Sequence, residues 1–304
     1  MTAETFVAGS VAPAPPRVSP AWSDLARIEL GRYLRRPVFI IGVLLTYAAL
    51  LPYLDADEPV DELALIAPAA LIGLLGISTS TLRVWASDRC ARVAGPTPVT
   101  EATRTTAHLT ACLLPFVAGC GFVAITFIRF HTNPPPPNGY AALMSDSWVA
   151  AVWFGTGAIS CLGGPILGVV IARQATWRAA PIVASVGIVA LCIVFQGLFA
   201  PLRRIRVVMP WTYWGGPFGI EGDSERSLVL SGSPQWWLAY LVALCAIGAL
   251  VAIRHDRERR QRGTTVAMRV LVAAAICGCL LAMWTGVGDT IVNPIPGSGT
   301  SWGG

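Results

Sequence analysis

From residue 38 onward the chain alternates between long apolar runs and shorter polar stretches. The runs fall at 38–54, 63–82, 107–128, 148–172, 179–200, 236–253 and 270–287. Each is close to the ~20 residues that an α-helix needs to cross a bilayer core. The pattern predicts an all-α, polytopic transmembrane helix bundle of six or seven spans, filling residues 37–287. Seven spans put the two termini on opposite sides, and an even count follows if one short segment is interfacial. No sequence repeat relates the two halves, so an inverted-repeat transporter is not indicated.

Two further stretches flank the bundle. Residues 1–19 are rich in Pro, Ala and Val and lack a basic start and an apolar core. They read as a disordered cytoplasmic tail rather than a cleavable signal. Ser19-Pro20 then resembles an N-cap followed by Pro at the first helical position. Over 20–36, Trp22, Leu25, Ala26, Leu30 and Tyr33 share one helical face, with Asp24, Arg27 and Arg35 opposite. Glu29 and Arg36 interrupt the apolar face. An amphipathic helix in the membrane interface is the favoured reading, and a solvated extension of the first span is the other. Residues 288–304 read as a flexible C-terminal tail.

Composition makes lipid the solvent. The 304 residues are 54% hydrophobic and 13% charged, where a soluble domain carries about a quarter charged residues. Charge then sets orientation. The basic residues are 22 Arg and no Lys, which excludes a Walker A phosphate loop, whose Lys meets the nucleotide phosphates. With the N-terminus inside, all Arg except Arg129, Arg203, Arg204, Arg206 and Arg226 lie on the cytoplasmic side. The first outer loop, Asp55-Ala56-Asp57-Glu58-Pro59-Val60-Asp61-Glu62, is acidic. This asymmetry is the positive-inside pattern. Arg203, Arg204 and Arg206 stand against it: either they snorkel to the outer headgroups or the fifth segment does not cross fully. Trp148, Trp211, Trp214, Trp236, Trp237 and Trp284 gather at the expected outer interface as an aromatic belt. No basic domain with interleaved aromatics suggests nucleic acid.

The search for chemistry is mostly negative. His108, His131 and His255 stand alone in the sequence, without metal-ligand spacing. Cys112, Cys120, Cys161, Cys192, Cys245, Cys277 and Cys279 lie in apolar runs and read as packing residues, with Cys90 in a polar stretch. Ser160 follows Gly155-Thr156-Gly157-Ala158-Ile159, a small-residue packing face rather than a nucleophile site. No span carries an acidic residue, a His or an Arg near its midpoint, so proton-driven transport is not indicated. The expectation is a protein that is not an enzyme and holds no cofactor or metal. Gly164-Pro165-Ile166-Leu167-Gly168 is a small-xxx-small motif for close helix packing, and Pro115 and Pro165 are expected to kink their helices.

Two connecting segments stand out. The cytoplasmic segment 83–106 contains Arg83, Asp88, Arg89, Arg92 and Arg104, and Thr100 can cap a short helix running into the third span. The outer segment 201–235 is long for a helix connection and contains Pro210, Trp211, Tyr213, Trp214 and Pro217.

Taken together, these features resemble the permease subunits of ABC-2-type exporters, particularly actinobacterial ones. The resemblance lies in three places: Ala26 to Pro37 leading into the first span, Pro98-Val99-Thr100 followed by Arg104, and Pro210-Trp211-Thr212 before the sixth span. It implies a translocation path coupled to a separate ATP-binding subunit, with the permease working as a homo- or hetero-dimer in a bacterial plasma membrane. Arg83, Asp88, Arg89, Arg92 and Arg104 would then lie at a surface that docks the ATPase, and Pro210–Pro217 in a partly embedded outer hairpin. The family commonly has six spans with both termini inside and an acidic residue soon after the glycine of its coupling loop. Here the count is seven, and Glu101 comes well after Gly95. A non-transporting membrane component of an envelope or sensory complex is the alternative.

Overall fold

A computed structural model describes residues 21–54, 66–94, 99–133, 145–196, 202–209, 220–222, 227–229, 232–255, 262–285 and 290–292. The protein is a helical membrane bundle. Helix α1 spans Ala21–Leu34. It ends before Pro37, which starts α2, Pro37–Ala48, with Arg36 in extended conformation as its N-cap. Pro restricts its predecessor to extended backbone and has no N–H to leave unpaired at a helix start. α1 is therefore a separate helix and not an extension of the first span. α2 stops at Ala48, the residue whose carbonyl the ring of Pro52 would strike, and the chain continues as a 3₁₀ turn over Leu51–Leu54.

The next helix begins with a π-helical stretch, Pro68–Leu74, and continues as α3, Leu75–Ala94. α4, Glu101–Ala111, starts at Thr100, whose side chain accepts from Thr103 N–H. α5, Leu113–Thr132, follows after Cys112, with Pro115 in its first turn. α6, Asp146–Trp153, passes through a second π-helical stretch, Phe154–Ile159, into α7, Ser160–Gln174. α8 is Ala180–Gln196, α9 Pro234–Ile253 and α10 Arg262–Trp284.

Among the described residues, five helical segments are long and apolar enough to cross a membrane: Pro68–Val93, Glu101–Thr132, Asp146–Gln174, Pro234–Ile253 and Gly263–Trp284. The expected first and fifth spans are the two shorter apolar helices, Pro37–Ala48 and Ala180–Phe195. The expected second span, 63–82, is displaced and lengthened, because hydropathy falls at Arg83 whereas the helix continues for three more turns. At 26 residues this helix is about 39 Å long, more than the ~30 Å hydrocarbon core, so its charged last turns extend past the lipid. The segment 83–106, expected as a loop, is thus largely the end of α3 and the start of α4.

End contacts fix the helix directions. Ion pairs join α1, the ends of α3, α7 and α9, and the start of α4; this is the basic end. At the other end Phe130 of α5, Trp148 and Trp153 of α6, and Trp237, Tyr240 and Leu241 of α9 share one apolar cluster with Leu50 and Val207; this is the aromatic end. There too, the backbone N–H of Ser233 donates to the carbonyl of Ala282 at 2.9 Å, tying the start of α9 to the end of α10. A small antiparallel sheet joins β1 (Ile220–Gly222), β2 (Ser227–Val229) and β3 (Thr290–Val292), in the order β1-β2-β3. Within the tail expected to be flexible, Thr290–Val292 therefore pair with Val229–Ser227.

Close backbone approach binds the middle together. A Cβ on Gly168 would lie 2.3 Å from the carbonyl oxygen of Ile77, and one on Gly42 2.4 Å from that of Leu71. Glycine permits α7 to press on α3, and α2 on the π-helical stretch. Thr81 Oγ1 donates to the carbonyls of Ile77 and Gly168, at 2.8 and 2.9 Å. Gly164 is buried on the same helix as Gly168.

Candidate functional site

Chemistry-bearing side chains concentrate at the basic end, in two assemblies on either side of α3. The first is closed. Tyr33, Ala26 and Glu29 form the buried stripe of α1, and Glu29 is 6% exposed. That carboxylate, which interrupts the apolar face in sequence, is the centre of the docked face. Arg83 Nη2 of α3 donates to a Glu29 carboxylate oxygen and, at 2.7 Å, to the Glu29 backbone carbonyl. His108 Nδ1 of α4 lies 3.4 Å from the same carboxylate. Arg32 adds a pair at 2.8 Å from the surface, and the Arg83 guanidinium sits 4.5 Å over the Tyr33 ring. Burial raises the Glu29 pKa, but the hydrogen bond and charge of His108 and the charge of Arg83 outweigh it and hold the carboxyl at about 2. Thus α1 is fastened to two other helices through one carboxylate.

The second assembly is open, a cavity of about 930 Å³ between the ends of α3 and α7, the start of α4 and the turn after α9. Asp88 sits within it. Arg173 Nη1 contacts Asp88 Oδ2 at 2.6 Å and Glu101 Oε1 at 3.6 Å. Arg104 Nη2 lies 3.9 Å from Asp88 Oδ1, and His255 Nδ1 2.7 Å from Glu101 Oε1. Arg89, Arg92 and Arg178 complete the charged lining, all three exposed. Five arginines against two carboxylates leave an excess of three positive charges, so the cavity as a whole attracts anions.

Of the residues singled out from sequence, Asp88, Arg89, Arg92 and Arg104 come together in this cavity. Arg83 does not: its side chain is 4% exposed and faces Glu29. Pro210, Trp211, Tyr213, Trp214 and Pro217 lie outside the described residues. Arg206 neither snorkels nor points outward; it is buried, and its Nε donates to the Phe195 carbonyl at 2.9 Å near the end of α8. Ser160 is buried and hydrogen-bonded back to the Thr156 carbonyl, the arrangement of a packing serine.

Sequence reasoning passed over Glu29, His108, Glu101, Arg173, Arg178 and His255 as site residues. The three histidines, alone in sequence, each meet a carboxylate in space: His108 with Glu29, His131 with Asp146 and His255 with Glu101. One signal was available for Glu29, since an acid on an otherwise apolar helical face is seldom buried without a partner. Arg173 carried none, because an arginine at the end of an apolar run also satisfies the positive-inside pattern. Compared with protein-family models, curated proteins and solved structures, the chain matches none.

Proposed function

We propose that this protein is the permease subunit of an ABC exporter in a bacterial plasma membrane, coupled at its basic end to a separate ATP-binding subunit. The observation that carries the reading is the open cavity. A membrane bundle places exposed Arg89 and Arg92 on the last turns of a helix that outruns the lipid, beside Asp88 and Arg104, on a surface suited to a charged, soluble partner. α4 joins this surface to the bundle through its Thr100 cap and packs against α1, so force applied at the cavity reaches both the first helix and the core. The positive-inside pattern puts this end, and the N-terminus with it, in the cytoplasm. Two such permease subunits would form the path, and hydrolysis belongs to the partner, since a chain without Lys has no Walker A loop.

The test is purification from the native membrane in mild detergent. A stoichiometric partner carrying a Walker A motif is expected, and Arg89→Glu with Arg92→Glu should reduce its recovery about tenfold or more, as loss of steering and pairing charges does. A stable preparation without any ATPase would overturn the permease reading in favour of a non-transporting membrane component.

A further inference from the structure

The cavity has a floor that its own carboxylates leave unsatisfied. Arg173 has a 4% exposed side chain, and its Nη1 takes both acidic contacts. Its Nε and Nη2 are buried and have no hydrogen-bond acceptor among the described residues, and the same holds for Arg104 Nε. Three guanidinium nitrogens without acceptors, on two side chains from different helices, outnumber the one unpaired acceptor beside them, Asp88 Oδ1, and mark the place of a missing anion: buried donors are almost always paired. Arginine's planar fork suits the tetrahedral oxygens of a phosphate.

A second hollow indicates what carries the phosphate. α7 and α9 frame an apolar groove of about 250 Å³ that includes Ile166, Val170, Ile247, Gly248 and Val251. Arg173 follows Val170 by three residues on α7, and His255, in the turn after α9, follows Val251 by four, so the groove ends about one helical turn from the charged cavity. Trp177, 52% exposed, stands beside Arg178 at this level, as aromatic side chains do at the headgroup layer.

We infer that the cavity binds the phosphate of an anionic glycerophospholipid from the basic-end leaflet, with an acyl chain lying in the α7–α9 groove. Arg173 and Arg104 hold the phosphate oxygens, and the net positive charge selects an anionic over a zwitterionic headgroup. The exposed arginines at the rim remain free to meet a soluble partner. The site does not depend on the ATPase, so it is tested on the purified chain alone.

The full-length protein is placed in phosphatidylcholine nanodiscs with and without phosphatidylglycerol, and retained lipid is counted by native mass spectrometry after release. Wild type is expected to retain phosphatidylglycerol and not phosphatidylcholine. Arg173→Gln and Arg104→Gln should each weaken retention about tenfold, the loss of one charged hydrogen-bonding group. Arg27→Gln, exposed on α1 and outside the cavity lining, should leave retention within twofold. If Arg173→Gln alone proves unstable because Asp88 loses its partner, the pair Asp88→Asn with Arg173→Gln and the single Arg104→Gln carry the same comparison. Equal retention of phosphatidylcholine, unchanged retention in the floor variants, or an equal loss in Arg27→Gln would overturn the proposal. Inorganic phosphate or glycerol 3-phosphate displacing the lipid at equal concentration would assign the site to a free anion and overturn the lipid as its source.

Discussion

The two ends of the bundle are held by different physics. At the basic end, helices meet through a few directional contacts between charged groups: Glu29 with Arg83 and His108, and Asp88 with Arg173. At the aromatic end they meet through rings. Phe130 and Phe127 pack edge-on against Trp153, with centroids 5.4 and 6.2 Å apart. The Trp237 ring covers Gly155 so closely that a Cβ there would lie 2.4 Å from it. Ring packing draws its stabilisation from area and fills space. Ionic contacts leave space between long side chains, and the large cavity lies among them. An end built from few contacts of high individual weight can open and bind, whereas an end built from many small ones serves as the fixed frame.

The contrast can be broken most sharply at Glu29. Glu29→Ala leaves Arg83 buried without its carboxylate and should cost about 3–5 kcal/mol, read as a lower unfolding midpoint of the purified protein. Glu29→Leu combined with Arg83→Leu should recover much of that loss, since an apolar pair needs no compensation. Trp237→Ala at the aromatic end should cost a comparable ~3–5 kcal/mol by leaving a cavity, but with no dependence on pH or salt. A Trp237→Ala loss, measured against wild type, that varied with pH would erase the distinction. Next comes the middle of the bundle. Gly168→Ala must move α7 off the Ile77 carbonyl and should cost about 1–3 kcal/mol.

Acid offers a finer probe. The Glu29 carboxyl is depressed from its ordinary 4.5 to about 2 in the folded protein. Its contribution is therefore complete above about 4.5, where the carboxyl is ionised in both states, and is lost as pH falls toward about 2. The stability gap between wild type and Glu29→Gln should close within that window, and a gap constant down to pH 2 would contradict the buried pair. The smallest effect belongs to the His131–Asp146 ion pair, which lies at the solvent-exposed surface of the aromatic end. Asp146→Asn, which removes the charge and leaves the His131 ring in place, should leave the unfolding midpoint unchanged.

Much of the architecture is legible in the sequence. Apolar run lengths locate the seven apolar helical segments found among the described residues, and Thr100 announces the start of α4. The spans at 148–172 and 236–253 lie within two residues at either end of the helices Asp146–Gln174 and Pro234–Ile253. The misjudged boundary has a physical cause. Hydropathy registers Arg83 as leaving the lipid, and the partner that lets it remain in the protein, Glu29, lies 54 positions away. The cavity is half legible for the same reason. Asp88, Arg89, Arg92 and Arg104 are neighbours in the chain and read as a cluster, whereas Arg173 and His255 join them only through folding. The two π-helical stretches have no periodic signature, since small residues and Pro serve ordinary α-helix packing equally well.

Those two stretches, Pro68–Leu74 and Phe154–Ile159, have a further consequence. A π turn bonds each residue to the fifth rather than the fourth along the chain, and so takes in more chain for each unit of length. It acts as a phase shifter: the faces of a helix after it are rotated from where an uninterrupted α-helix would place them. α6 can therefore turn Trp148 and Trp153 into the ring cluster while α7 turns Gly168 toward α3. Neither side is bound to the register of the other. Substitutions on the two halves of Asp146–Gln174 follow separate helical wheels, and a scan laid on one continuous wheel would assign half of its positions to the wrong neighbour.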